Sequence, residues 1–199
     1  MLSPPAVAGS LIYLSRSSPT PTFDDPSAAW LAVDKATGIV SFSLNSGRNS
    51  TANPAAVAAA DRVYLATQDK VAAVYAGNGR VVWQVPAPGL WPTSLTWGDT
   101  AGGRLFTRDN DGVLYGLEAE RGQQIWSYPA ETPQPAAPVF ADGVLYAPGS
   151  GGELHVVDAA NGARRAVYRA GTGDLTSMPT LTTDSVLVSD GDVLHAIAR

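Results

Sequence analysis

The chain contains no cysteine. A disulfide framework and a thiolate metal site are therefore both excluded. Charge is scarce as well: Asp, Glu, Lys and Arg make up 16% of the residues, against about 25% in an ordinary soluble domain. The basic residues number 13 against 18 acidic ones, for a net charge of −5, and they form no cluster. Nucleic acid is excluded as a partner on that balance. No run approaches about 18 consecutive apolar residues, so no transmembrane segment is expected. The first ten residues, MLSPPAVAGS, have neither the positive start nor the apolar stretch of a secretion signal. The chain as written carries no signal peptide, and a cytoplasmic location stays open.

Helical periodicity over ten or more residues is missing too. The Ala-rich stretch Ala55 to Arg62 is read as a first strand of a repeat and not as a helix. What the chain has in excess is turn residues, 20 Gly and 15 Pro, which argue for many short elements joined by tight turns. Its 199 residues favour one domain with a core along most of its length.

The turns recur. AVDKATGIVSF from Ala32, AVYAGNGRVVW from Ala73, GLEAERGQQIW from Gly116 and VVDAANGARRA from Val156 align without gaps, and their shared glycines are Gly38, Gly79, Gly122 and Gly162. A second anchor is an apolar pair, Ile12-Tyr13, Val63-Tyr64, Leu105-Phe106, Leu145-Tyr146 and Val186-Leu187. A third is a proline ahead of that pair, at Pro5, Pro54, Pro138 and Pro179. Glycines 41, 43 and 40 residues apart set the period. The repeats fall at residues 4–50, 51–92, 93–134, 135–176 and 177–199, the last one partial. Each reads as four short strands with Asp-Gly, Gly-Gly or Asn-Gly turns between them, the signature of antiparallel hairpins. Four-stranded units at a period of about 41 residues predict an all-β β-propeller, here about four and a half blades.

The turn segments together resemble the tryptophan-docking motif, A-x-D-x-x-T-G-x-x-x-W, of the quinoprotein-like propeller family. Repeat one supplies Ala32, Asp34, Thr37 and Gly38, with Phe42 at the Trp position. Repeat two has Ala73, Gly79 and Trp83, with Tyr75 in place of the Asp. Repeat three has Glu118, Gly122 and Trp126; repeat four keeps Asp158 and Gly162 but has Ala166 where Trp is expected. The resemblance implies that the ring on the fourth strand locks a blade to its neighbour, and that the contact from repeat four is weaker. It also implies rings of about seven or eight blades, more than this chain supplies. Two readings follow: a piece of a longer propeller, which is preferred, or an incomplete ring completed by self-association. The preference rests on the unpaired edge strand and apolar face that an open arc exposes.

The family includes the bacterial outer-membrane assembly lipoproteins, and by that resemblance the chain is a non-catalytic protein-binding or scaffold module in the periplasm or outside the cell. Its partner is another protein or the rest of the propeller. Two competing readings are a fragment of a quinone-dependent dehydrogenase and a sensor domain of a larger extracellular protein. The dehydrogenases hold pyrroloquinoline quinone and calcium, and no Glu, Asn and Asp set for that calcium can be placed, so no cofactor is assigned. Asp109-Asn110-Asp111-Gly112 resembles the start of a calcium loop but is read as a hairpin turn. His155 and His195 share one repeat position, where repeat three has Tyr115; two ligands without a third do not make a metal site. No nucleophile elbow, phosphate loop or zinc-protease helix is present. Two segments outside the repeat are candidate interaction loops: residues 16–27, and residues 89–97 with Trp91.

Overall fold

The computed structural model describes residues 5–16, 29–45, 56–67, 70–88, 94–100, 102–130 and 136–199. Trp91, Pro54 and nearly all of the insertion after Arg16 lie outside them. Every regular element among the described residues is a β-strand. The strands form five antiparallel sheets in sequential order, four of four strands and one of three. The first sheet is β1 (Ala6–Ala8), β2 (Leu11–Arg16), β3 (Ala29–Asp34) and β4 (Val40–Asn45). The second is β5 (Val57–Ala59), β6 (Arg62–Ala66), β7 (Lys70–Tyr75) and β8 (Val81–Pro86). The third is β9 (Ser94–Gly98), β10 (Arg104–Arg108), β11 (Val113–Glu118) and β12 (Gln124–Pro129). The fourth is β13 (Val139–Ala141), β14 (Val144–Pro148), β15 (Glu153–Asp158) and β16 (Arg164–Arg169). The fifth is β17 (Thr180–Leu181), β18 (Ser185–Ser189) and β19 (Leu194–Ala198). The chain divides into two compact units, Met1–Leu95 and Thr96–Arg199.

The register explains the anchors found in the sequence. Tyr13 pairs with Ala32, which pairs with Phe42. The same cross-strand row recurs as Tyr64, Ala73 and Trp83, as Phe106, Gly116 and Trp126, and as Tyr146, Val156 and Ala166. In each sheet a β-bulge follows the third-strand member of this row. The bulge turns the strand end into the tight turn that holds the motif glycine.

Because side chains alternate across a strand, consecutive sheets within a unit can pack face to face. In unit one Tyr13, Trp30 and Ala32 of the first sheet pack with Val63, Leu65 and Val74 of the second. In unit two Phe106, Leu114 and Trp126 of the third sheet pack with Leu145, Ala147, Val157 and Ala159 of the fourth. The opposite face of the fourth sheet, with Val144, Tyr146, Leu154 and Val156, meets Val186 and Val188 of the fifth. The core of each unit is therefore a set of sheet-to-sheet seams.

Candidate binding slots between neighbouring sheets

The motif turn is built the same way four times. The N–H of Gly38, Gly79, Gly122 and Gly162 donates to the carbonyl four residues back, at Asp34, Tyr75, Glu118 and Asp158, over 2.8 to 2.9 Å. All four glycines have φ between 68° and 74°, the left-handed region where a side chain is strained. The acidic residue at the start of the turn caps it. Asp34 Oδ1 accepts from the Ala36 and Thr37 N–H groups at 3.1 and 2.9 Å and from the Thr37 hydroxyl at 2.9 Å. Asp158 Oδ1 accepts from Ala160 and Asn161, and its Oδ2 from Arg165 Nε at 3.1 Å. Thr37 backbone and side-chain donors hold the Asp34 carboxyl below its ordinary value, and Arg165 does the same for Asp158. Tyr75 and Glu118, which stand in for the Asp, have other neighbours: Arg80 lies over the Tyr75 ring at 4.7 Å, and Glu118 pairs with Arg121 at 3.7 Å.

The fourth-strand ring reaches the turn of the following sheet. Trp126 is 7% exposed, stacks on Phe106 with centroids 5.8 Å apart, and donates its indole N–H to the Ala159 carbonyl at 3.1 Å. A Cβ on Gly162 would lie 2.8 Å from that indole. In unit one Phe42 lies against Gly79 in the same way, and the Tyr13 hydroxyl donates to the Ala76 carbonyl at 2.7 Å. Burial pushes the Tyr13 phenol up to about 12. Trp83 lies 6.0 Å from Tyr64, centroid to centroid, within the second sheet. Repeat four, without a ring at Ala166, places Val156 opposite it, so bulk moves from the fourth strand to the third. The cross-strand pairs Ala32–Phe42, Ala73–Trp83, Gly116–Trp126 and Val156–Ala166 thus trade size in register. That trade was present in the sequence as a covariation between two aligned columns. The Arg199 guanidinium lies over the Tyr146 ring at 5.8 Å and pairs with Asp142.

The remaining candidates resolve into local roles. Asp109 Oδ1 accepts from the Asp111 and Val113 N–H groups, and its Oδ2 accepts from the Tyr115 hydroxyl at 2.8 Å. The carboxylate thus closes the β10–β11 hairpin, and burial with this bond pushes the Tyr115 phenol up to about 12. His155 Nδ1 and the Tyr128 hydroxyl share a hydrogen bond of 2.9 Å, whereas His195 Nε2 lies 3.2 Å from Asp190. The two histidines are not brought onto a common ligand. Among the described residues no group of three His, Cys, Asp or Glu side chains converges as a metal would require. Among the described residues the side chains do not assemble the carboxylate set that a calcium-bound quinone requires. Sequence reasoning missed Arg108, which is fully buried and donates to the carbonyls of Gly112 at 3.1 Å and Pro148 at 2.6 Å. It ties the third sheet to the fourth, and burial lowers its guanidinium to about 10.

Beside two of the seams the outer strands leave a slot. In unit two a cavity of about 530 Å³ is lined by Tyr128, Ser150, Glu153, His155, Arg164 and Arg169, among others. In unit one a cavity of about 140 Å³ is lined by Leu44, Lys70, Ala72, Val81 and Gln84, together with Trp30. The registers make these the same place. Leu44 and Tyr128 both stand two residues beyond the fourth-strand ring, Ala72 and His155 one before the third-strand row member, and Val81 and Arg164 two before the fourth-strand one. One slot is small and largely apolar; the other is large and polar.

A family model described as outer membrane protein assembly factor BamB matches the chain twice, over residues 1–90 and 27–198. The crystal structure of BamB from Moraxella catarrhalis superposes with a TM-score of 0.74 at 14% identity, covering 99% of this chain and 58% of that one. The computationally designed Ika4 protein superposes with a TM-score of 0.66, also at 14% identity, over 75% of this chain and 92% of that one. At that identity both show the fold alone, and it is that of β-propeller blades. A search of curated proteins finds no match.

Proposed function

Since the chain belongs to the family of the outer membrane protein assembly factor BamB, we propose that it is a non-catalytic, protein-binding propeller module that works in outer-membrane protein assembly. The family match over residues 1–90 and 27–198 is the observation that carries this reading. The chain spans 58% of the length of the Moraxella BamB, so the reading concerns the part of an assembly factor that these blades supply. The site of action is the periplasm, facing the outer membrane. The partner is a protein, engaged through slots, loops or an edge strand.

The arrangement of side chains favours binding over catalysis. The motif carboxylates cap turns, and the rings fill seams. Groups spent on holding the fold are not poised for proton transfer to a substrate. Two measurements test the reading. Deleting the gene in its source organism is expected to lower the level of β-barrel proteins in the outer membrane; unchanged levels would overturn the assembly role. Titrating the purified chain with pyrroloquinoline quinone and calcium is expected to leave absorbance and fluorescence additive. Saturable micromolar binding there would replace the scaffold reading with the dehydrogenase one.

A further inference from the structure

We infer that the slot between the third and fourth sheets binds an extended acidic peptide segment of a partner protein; this deepens the protein-binding reading above and rests on it. The slot has a floor and two charged ends. At the floor, His155 is 7% exposed and bonded to Tyr128, and its Nε2 lies 3.5 Å from Glu153. Glu153 is already matched by Arg169, whose Nη2 lies 2.8 Å from its Oε1. Arg164 is exposed, and no acidic side chain pairs with it among the described residues. Among the side chains that line the slot two guanidiniums stand against one carboxylate, and Asp174 beside it is held by the Gly151 N–H at 2.9 Å. The open guanidinium of Arg164 is the charge left to pair, on a chain whose net charge is −5. A guanidinium whose fork is open to solvent suits a carboxylate, which it can hold through two parallel bonds. Recognition of acidic segments by arginine clusters is a recurring mode.

Length decides between a peptide and a small anion. Arg164 and Arg169 stand at opposite ends of β16 and, because of the bulge, flank the four ladder steps from Val157 to Glu153, about 13 Å along the strand. A single small carboxylate or phosphate contacts one end, while an extended segment runs past both. β16 is also the outer strand of its sheet, so the slot opens along an edge where a chain can lie. The equivalent slot in unit one has Val81 in place of Arg164, Ala72 in place of His155 and Leu44 in place of Tyr128. That slot holds Lys70 but no arginine, so it lacks the planar fork that grips a carboxylate through two bonds, and it is expected to bind the same peptide far more weakly.

Fluorescence anisotropy with a labelled, end-capped hexaglutamate peptide tests the inference on the full chain. Saturable binding that weakens as salt rises is expected, and a hexaglutamine peptide is expected not to bind. Arg164→Ser should weaken the hexaglutamate at least tenfold, while Arg164→Lys keeps part of the affinity. Because Arg164 is exposed, both variants should keep the thermal unfolding curve of the parent, and that curve is recorded alongside. Val81→Ser, at the equivalent place in unit one, should leave binding unchanged. Absence of saturable hexaglutamate binding, or binding indifferent to Arg164→Ser, would overturn the inference. Competition by millimolar inorganic phosphate at the same site would also overturn it, in favour of a small-anion site. Each of these failures leaves the gene-deletion result standing, so the slot and the assembly role fall separately.

Discussion

In unit one the Ala76 carbonyl accepts a hydrogen bond from the phenol of Tyr13; in unit two the equivalent carbonyl, at Ala159, accepts one from the indole of Trp126. The acceptor sits in the motif turn of the following sheet in both cases. The donors come from different strands, β2 in one unit and β12 in the other. The reason is visible in the cross-strand row. Where the fourth strand carries Phe42, which has no polar atom, the second strand carries Tyr13. Where the second strand carries Phe106, the fourth carries Trp126. Both of these seams keep two aromatic rings and one donor, since a carbonyl shielded from water without a partner costs about 1–3 kcal/mol. The lesson concerns repeat proteins generally: what recurs is the requirement at the seam, and the column that meets it can change.

The strongest way to break the comparison is to remove the rings. Trp126→Ala deletes the indole, its stacking on Phe106 and its bond to Ala159, and is expected to cost about 3–5 kcal/mol. Phe42→Ala removes only packing, because the Ala76 bond belongs to Tyr13, and is expected to cost about 3 kcal/mol. Urea unfolding of both variants checks the order. Equal losses would mean that the indole bond contributes nothing beyond the ring.

The motif glycines offer a second, smaller contrast. Gly38 and Gly162 have φ of 72° and 74°, so an alanine at either is strained by about 1–2 kcal/mol. At Gly38 a Cβ would meet nothing within 4 Å, whereas at Gly162 it would strike the Trp126 ring. Gly162→Ala is therefore expected to lower stability by more than Gly38→Ala in thermal unfolding. The same loss at both would place the whole effect in the turn and none in the seam.

A donor swap sharpens the comparison further. Tyr13→Phe leaves the Ala76 carbonyl without its bond and should cost about 1–2 kcal/mol. Adding Phe42→Trp to that variant copies the unit-two arrangement into unit one. Recovery of most of the lost stability in the double variant is expected, and further loss would show that the two seams are not interchangeable.

These contrasts also mark how far the sequence was legible. Gly38, Gly79, Gly122 and Gly162 could be read directly, because a positive φ in a tight turn leaves little choice of residue. The strand count and the turn-closing role of Asp34 and Asp158 followed from the same local rules. The docking geometry was legible only in part. Trp126 after its turn announced a ring, but its acceptor, Ala159, lies 33 residues away and contributes a backbone atom that no side-chain pattern encodes. The polar slot was less legible still. Tyr128, Glu153, His155 and Arg164 come from three strands, and none of them is a repeat anchor. His155 stood out as a rare residue, but its bond partner on β12 depends on how two sheets stack. Trp91, chosen from the sequence as an interaction anchor, lies outside the described residues.

The smallest expected effect separates the two capped turns by their response to acid and salt. Asp34 is held below its ordinary value of 3.8 chiefly by the Thr37 N–H, and Asp158 chiefly by Arg165. A carboxyl whose value is lower in the folded chain than in the unfolded one adds stability above the unfolded value. That contribution is lost as pH falls through the folded value. Both turns should therefore weaken below about pH 4, and Asp34→Asn or Asp158→Asn should each flatten the stability profile in that range. Salt then distinguishes them. The Asp158 contribution depends on a guanidinium that is itself exposed, so about 1 M salt should screen much of it. Asp34 leans on backbone and hydroxyl donors, which salt screens little. Urea unfolding at pH 7 and pH 3, in low and high salt, is expected to show Asp158→Asn losing its effect in salt while Asp34→Asn retains it. The same salt response from both would mean that Arg165 does not set the Asp158 carboxyl and that the two turns are held by one mechanism.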